Sequence, residues 1–122
     1  MQPGLTAEIA LVVGDADTAI AFGSGDVPVL ATPRLIALCE EATVAAIAGQ
    51  LPDGTTTVGT RVEADHTRAS FAGDSVTARA TLVDADGRRL QFTVTVGDRE
   101  GTPVAVARIW RVVVERDRFL SR

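Results

Sequence analysis

The feature that most constrains this chain is a helix-forming segment, residues 33–48, that is apolar on nearly every side. It contains no glycine, and no proline after its first residue, Pro33. Its apolar residues include Leu35, Ile36, Leu38, Val44, Ala45, Ala46 and Ile47. Thr32 predicts an N-cap with proline at the first helical position, and Gly49 is typical of a helix C-terminus. A helix that is apolar nearly all round is buried on most of its surface, so other elements must wrap around it.

Alternating apolar and polar residues predict five strands that supply this wrapping. The strands cover residues 5–13, 57–66, 75–83, 89–96 and 104–115. A loop with a short helical piece at 15–22 separates the first strand from the helix. The Asp-Ala-Asp-Gly sequence at 84–87 and the loop at 97–102 are hairpin signals, so the last three strands should form an antiparallel meander. This order of elements predicts an α+β fold, with one antiparallel sheet wrapped around one helix.

Length, charge and cysteine content exclude several classes of protein. The 122 residues fit a single domain over residues 1–122, and a formal net charge of −4 without a basic run argues against a nucleic-acid partner. No apolar stretch reaches the roughly 18 residues of a membrane span, and the N-terminus lacks the basic region of a signal peptide, so we expect no membrane partner. The single cysteine, Cys39, cannot form an internal disulfide, which favours a reducing, cytoplasmic setting.

Two titratable residues, Glu40 and His66, occupy positions that the patterns mark as apolar. Glu40 shares a helical stripe with Val44, and an ionised carboxylate on a buried stripe is unfavourable unless it is paired. His66, the only histidine, shares a strand face with Val58 and Val62 by alternation. We interpret Glu40 as a cleft or catalytic carboxylate and His66 as a candidate acid or base. The structural alternatives are a helix phase shifted by one residue for Glu40 and a core histidine bonded to backbone for His66.

Three further residues have plainer interpretations. Glu41 lies on a stripe with Arg34 and is expected to be solvated or ion-paired. Thr32 is first of all a helix N-cap, although the N–H groups at a helix start also suit a thioester oxygen. Cys39 is expected to be a small core residue. The sequence has no phosphate-binding loop, dinucleotide motif, zinc-ligand spacing or serine nucleophile motif, so no metal or cofactor is implied.

Four short motifs, taken in order along the chain, resemble the fluoroacetyl-CoA thioesterase family of hotdog proteins. They are Ala-Thr-Pro at 31–33, Cys-Glu at 39–40, Val-Gly-Thr at 58–60 and Asp-His-Thr at 65–67. The resemblance runs from about residue 28 to about residue 119. It implies a hotdog fold, in which a five-stranded antiparallel β-sheet wraps one long central helix. It also implies thioesterase activity at the interface of a homodimer.

The resemblance further implies a catalytic set of Thr32, Glu40 and His66. Glu40 would attack the thioester carbonyl or activate water, His66 would hold and deliver protons, and Thr32 would orient the carboxylate or the water. The backbone of Gly59 would bind the substrate by donating to the developing oxyanion. The substrate would be an acyl-CoA or acyl-carrier thioester. Residues 23–29 contain no aromatic residue where the fluoroacetyl-specific enzyme has a bulky gate, so we predict a different acyl group.

Two other functions stay open at this point. A hotdog enoyl-CoA hydratase or dehydratase would also use an acid and a base, but such enzymes place an Asp and a His on the segment entering the helix, where this chain has no histidine. A non-catalytic hotdog module that binds an acyl ligand or acts as a scaffold would not depend on His66. For CoA phosphates, the sequence offers three cations near the motifs: Arg61, Arg68 and Arg108.

Overall fold

The computed structural model describes residues 1–121, in which five strands form one antiparallel sheet with the longest helix packed on one face. The elements are β1 (Thr6–Val12), α1 (Ala19–Phe22), α2 (Thr32–Ala46), β2 (Thr55–His66), β3 (Ser75–Asp86), β4 (Arg89–Asp98), β5 (Pro103–Glu115) and α3 (Arg116–Leu120). A 3-10 turn, Asp15–Asp17, precedes α1. The strand order is β1-β3-β4-β5-β2, and all neighbouring pairs are antiparallel. The predicted α+β class and the β3-β4-β5 meander are therefore confirmed.

The core lies between α2 and the face of the sheet that α2 covers. The inward positions of β4 are each at most 2 % exposed: Leu90, Phe92, Val94 and Val96. The buried residues of α2 are Leu35, Leu38, Cys39, Ala42, Thr43 and Ala46. Removal of these apolar side chains from water is the main favourable contribution to such a fold. Helix and sheet therefore fix each other's position.

One side of α2 faces the sheet and the other faces solvent. Ala37, Glu41 and Val44 are exposed, so the expectation of burial nearly all round is wrong for a single chain. The reason is that one sheet covers only one side of a helix. Glu41 is solvated as expected, whereas Glu40 is partly buried. The longest helix, α2, has 15 residues, and no helix within residues 1–121 combines the length and hydropathy needed to cross a membrane.

The start of α2 differs from the prediction by one residue. Ala31, with φ −67° and ψ 136°, is the N-cap, and Thr32 is already the first helical residue. No side chain caps this end of the helix, so the predicted capping role of Thr32 is wrong. A capping side chain belongs to the residue just before the first helical one, and here that residue is an alanine. The Thr32 hydroxyl is consequently available for a contact with β2.

A bulge in β2 changes which of its residues face α2. Between Gly59 and Arg61 the pairing with β5 shifts, which leaves Thr60 as an extra residue without a partner in the ladder. An extra residue of this kind reverses the alternation on one side of it. Gly59 therefore lies on the same face as His66. Val58, which simple alternation placed beside His66, lies on the opposite face.

Replacement of Phe92 should test how much the core contributes to stability. Phe92 is fully buried, and truncation of a buried phenylalanine typically costs about 3–5 kcal/mol because it leaves a cavity. We expect Phe92→Ala to lower the free energy of unfolding by that amount in urea titrations. Phe119→Ala is the matched control, because Phe119 is 54 % exposed. A Phe92→Ala variant no less stable than Phe119→Ala would contradict this account of the core.

Candidate active site

Thr32, at the start of α2, and His66, at the end of β2, contact each other through their side chains. The Thr32 Oγ1 lies 2.8 Å from the His66 Nδ1, a hydrogen bond whose direction depends on the tautomer of the ring. The other ring nitrogen, Nε2, is buried and has no hydrogen-bond partner within residues 1–121. Because buried polar atoms are normally paired, the unpaired Nε2 is a candidate for contact with a bound molecule.

The surroundings of His66 favour its uncharged form. Burial lowers the pKa of His66 below its ordinary value of 6.5, and a backbone hydrogen bond with Arg68 opposes this effect more weakly. His66 is therefore uncharged at neutral pH, and one of its ring nitrogens can accept a proton. Since Nδ1 is bonded to Thr32, Nε2 is the nitrogen available for proton transfer.

A cavity of about 310 Å³ opens beside the Thr32–His66 pair. Its apolar lining includes Ala19, Val27, Val29 and Leu30. The segment that leads into α2 forms this wall, and the Leu30 N–H donates to the Ser70 carbonyl at 2.8 Å, which ties the segment down. The cavity therefore offers space for a small apolar group next to the Thr32–His66 pair.

A second cluster surrounds the carboxylate of Glu40, whose side chain is 39 % exposed. The Nη1 of Arg111, in β5, lies 3.4 Å from the Glu40 Oε2. The same guanidinium donates from Nε to the Thr57 Oγ1 at 3.0 Å and from Nη2 to the Thr57 carbonyl at 3.2 Å. The Arg111 side chain is only 8 % exposed. Glu40 is thus paired, as a carboxylate on a mostly apolar helix requires.

Gly59 lies against the Glu40 carboxylate. A Cβ atom built on Gly59 would be 2.8 Å from the Glu40 Oε2 and 3.5 Å from the Arg111 Nη1. Any side chain at this position would therefore push the carboxylate aside. The bulge at Thr60 is what turns Gly59 toward α2, so the close approach could not be derived from alternation alone.

Arg111 was not among the residues predicted from the sequence, although β5 carries a signal for it. The inward side of this strand reads Ala105, Ala107, Ile109, Arg111 and Val113. An arginine in register with buried apolar residues is unusual, since arginine is almost never fully buried unless it is paired. The same argument that singled out Glu40 and His66 therefore also applies to Arg111.

Within one chain the two clusters are separate. The rise of α2 from Thr32 to Glu40 is about 12 Å, and β2 runs about 20 Å from Gly59 to His66. In the part of the chain that the structure describes, no hydrogen bond joins Glu40 to Thr32 or to His66. The structure thus brings Thr32 to His66 and Gly59 to Glu40, but it does not bring the four residues together.

The three arginines considered for CoA phosphates lie in different places. Arg61 and Arg108 flank the ring of Trp110, at 4.9 and 5.8 Å from its centroid, and both pair with Glu63. They lie on the sheet face that points away from α2. Arg68 lines the cavity beside His66 and also a neighbouring cavity of about 360 Å³. Of the three, Arg68 is the one placed near the Thr32–His66 pair.

Cys39 is a core residue, as expected. It is fully buried, and burial, with a smaller contribution from the charge of Glu40, raises the pKa of its thiol to about 11. A thiol with so high a pKa is not a nucleophile at neutral pH. Cys39 therefore does not compete with Glu40 or His66 as a reactive group.

Comparison with known proteins identifies the family. The chain matches the family described as fluoroacetyl-CoA-specific thioesterase over residues 13–117. The chain belongs to this family. A curated fluoroacetyl-CoA thioesterase from Streptantibioticus cattleyicolor is 39 % identical over 70 residues, which are 57 % of this chain and 50 % of that relative. This match spans half the length of the curated relative. The resemblance carried by the four short motifs is confirmed.

Solved structures of related proteins confirm the hotdog fold. A variant of the fluoroacetyl-CoA-specific thioesterase, in complex with fluoroacetate and CoA, is 29 % identical with a TM-score of 0.88, over 98 % of this chain and 99 % of that chain. A thioesterase superfamily member from Thermus thermophilus is 24 % identical with a TM-score of 0.89, over 97 % and 87 % of the two chains. The second comparison supports the fold alone.

The lowered pKa of His66 predicts how stability changes with pH. Between the folded-state pKa and 6.5, the unfolded chain binds more protons than the folded chain, so stability rises with pH in this window and is lost as the pH falls through it. We expect the wild type to lose more stability than His66→Gln between about pH 7.5 and about pH 5.5, because glutamine does not titrate. Urea unfolding at both pH values measures the difference. Equal losses in the two proteins would contradict the lowered pKa.

Proposed function

We propose that this protein is an acyl-CoA thioesterase that hydrolyses a small acyl thioester, with Thr32, Glu40 and His66 as its catalytic set. The observation that carries the proposal is the Thr32–His66 pair, because both residues line a partly apolar cavity and the His66 Nε2 has no hydrogen-bond partner within residues 1–121. Membership of the fluoroacetyl-CoA-specific thioesterase family supports it, as does the relative solved with fluoroacetate and CoA. That complex favours CoA over a carrier protein as the group that delivers the acyl chain.

In the proposed reaction, water adds to the thioester carbonyl carbon and the bond from that carbon to sulfur breaks, which gives a carboxylic acid and a thiol. Uncharged His66 takes up at Nε2 the proton that the attacking water loses and delivers it to the leaving thiolate. Thr32 accepts a hydrogen bond from the His66 Nδ1–H, which keeps the lone pair on Nε2. Nε2 is assigned to proton transfer because Nδ1 is already hydrogen-bonded to Thr32.

Glu40 supplies the second functional group. In one route its carboxylate attacks the carbonyl carbon and the thiolate leaves; water, deprotonated by His66, then releases the acyl group from Glu40. In the other route the carboxylate takes the proton of the attacking water and passes it to the His66 Nε2, and both routes give the same products. Arg111 contacts only the Oε2 of Glu40, which leaves Oε1 for the substrate or the water. Gly59 has no side chain, so its backbone N–H can approach the substrate and donate to the oxyanion.

We further propose that the active enzyme is a homodimer whose sites combine residues of both subunits. β2 is an edge strand, paired with β5 on one side only, and such edges are open to pairing with another chain. Antiparallel pairing of two β2 strands about a two-fold axis near Val62 and Glu63 would set His66 opposite Gly59 of the partner subunit. The two separate clusters of one chain would then meet as one site.

Two features of the molecule support narrower parts of the proposal. The cavity beside His66 is small and partly apolar, and residues 23–29 contain no aromatic side chain, which supports an uncharged short acyl group other than fluoroacetyl. Cys39 is a free, buried thiol, which supports a reducing, cytoplasmic location.

The proposed activity is tested by release of free thiol from a panel of acyl-CoAs of increasing chain length. We expect turnover of short acyl groups by the wild type, and a loss of at least about 100-fold in kcat in Glu40→Gln and in His66→Ala, because each removes a group that transfers a proton or attacks the carbonyl. Glu41→Gln is the matched control, since Glu41 is the neighbouring carboxylate but faces solvent. If no acyl-CoA is turned over, or if both active-site variants match the control, the thioesterase proposal is wrong and a binding or scaffold role gains support.

Mixing of two inactive variants tests whether a site is shared between subunits. If His66 works with Glu40 of the partner subunit, a heterodimer of Glu40→Gln and His66→Ala contains one intact site. After unfolding and refolding of an equimolar mixture, random pairing would restore about a quarter of the wild-type activity. Each variant refolded alone is the control and should stay inactive. No recovery in a mixture that does form heterodimers would contradict the shared site.

A further inference from the structure

Arg111 occupies an inward-facing position of β5 where core packing alone would favour an apolar residue. It lies on the inward face of β5, and its partners across the sheet are Leu90 in β4 and Gly59 in β2. Leu90 is 2 % exposed and the Arg111 side chain is 8 % exposed, so the guanidinium is largely withdrawn from water. A buried cation is unfavourable unless it is paired and hydrogen-bonded. The chain therefore needs a compensating reason to keep an arginine here.

The hydrogen bonds of Arg111 fix the orientation of its guanidinium relative to one carboxylate oxygen of Glu40. Thr57 accepts two hydrogen bonds from the guanidinium, one at its hydroxyl and one at its carbonyl, and so sets the plane of the group. Nη1 is then directed at the Glu40 Oε2. Because arginine presents its donors in a rigid planar fork, a fixed plane also fixes the direction of this third contact. Lysine, with a single compact charge, could not make the three contacts at once.

Gly59 lies beside the same oxygen, so close that a Cβ atom there would be 2.8 Å from it. With the Oε2 in contact with the Arg111 Nη1 and close to the Gly59 backbone, the carboxylate has little freedom to rotate. The second oxygen, Oε1, is then held in one direction. In a helix side chain with three rotatable bonds, this restraint has to come from outside the helix.

We propose that Arg111 is a positioning residue for the reaction: it holds the Oε2 of Glu40, together with Gly59, so that Oε1 is aimed at the substrate or water. This inference rests on the proposed thioesterase function. Arg111 itself touches no reacting atom in this scheme. A misplaced catalytic group slows the chemical step while leaving substrate binding largely intact, so the effect should fall on kcat and spare KM.

The first test compares Arg111→Gln, Arg111→Lys and wild type in the acyl-CoA assay. We expect Arg111→Gln to lower kcat by about 100-fold with little change in KM, because a displacement of a catalytic group by about 1 Å costs that much. Arg111→Lys should recover part of the loss by pairing with Glu40 without the Thr57 contacts. Arg79→Gln is the control, since Arg79 forms an Arg–Glu pair with Glu8 on the exposed side of the sheet. Wild-type kcat in Arg111→Gln would overturn the inference.

A second test separates positioning from a purely structural role. In Arg111→Ala, added methylguanidinium should restore activity in a saturable way, because it can occupy the vacated space beside Glu40. In the double variant Arg111→Ala with Glu40→Gln, it should restore nothing. Rescue that is independent of Glu40, or a loss of activity explained by unfolding in thermal melts with no rescue, would overturn the inference.

The same experiments distinguish this inference from the proposed function. If the wild type turns over acyl-CoA and Arg111→Gln does so equally well, only the positioning role is wrong. If the wild type turns over no thioester, the proposed function is wrong and the positioning role is overturned with it. Thr57→Val provides an independent check, because it removes the Nε contact without altering either charged residue, and we expect a smaller fall in kcat.

Discussion

The packing of α2 on one face of the sheet is the constraint on which both clusters depend. Leu35, Leu38 and Ala42 are fully buried against the sheet, so α2 cannot slide or rotate without exposing apolar surface. This packing fixes Thr32 over the end of β2 and Glu40 beside β5. The candidate catalytic side chains are consequently positioned by regular elements and a close-packed core, which hold geometry more tightly than loops do.

The elements that could be predicted from the sequence are those whose hydrophobic pattern reports burial directly. β4 alternates without interruption, and α2 is a long apolar run with clear ends, so both follow from periodicity. The bulge at Thr60 cannot be predicted from periodicity, because it depends on how β2 pairs with β5. The Thr and Val residues of this strand are compatible with either face of the sheet. The solvent exposure of one side of α2 could not be predicted either, because the hydrophobic pattern of a helix does not show how many layers of structure cover it.

The candidate site was predictable to the extent that a titratable residue interrupts an apolar pattern. Glu40 and His66 both show this signal, and the structure places each against a polar partner. Arg111 shows it too, but the run of valines that follows in β5 hides the alternation. The contact of Thr32 with His66 joins residues 34 apart in sequence, and no local pattern reports it. Local signals thus find the unusual residue, while only the fold shows its partner.

In the proposed dimer, β2 is the strand that connects the candidate site to the subunit interface. It is an edge of the sheet, it carries Gly59 beside the Glu40 carboxylate, and it ends at His66. Under the proposed pairing, the backbone hydrogen bonds that satisfy this edge would also set the distance between the two clusters. A shift of one residue in that pairing would displace His66 from its place opposite Gly59 of the partner subunit, and the residues then opposite each other would point to different faces. Because the bulge at Thr60 lies between the two clusters, it sets which face Gly59 presents and therefore which pairings can assemble a site. Under the proposed pairing, substitution of Thr60 should accordingly affect dimer register and catalysis together, although the Thr60 side chain has no role in the proposed reaction.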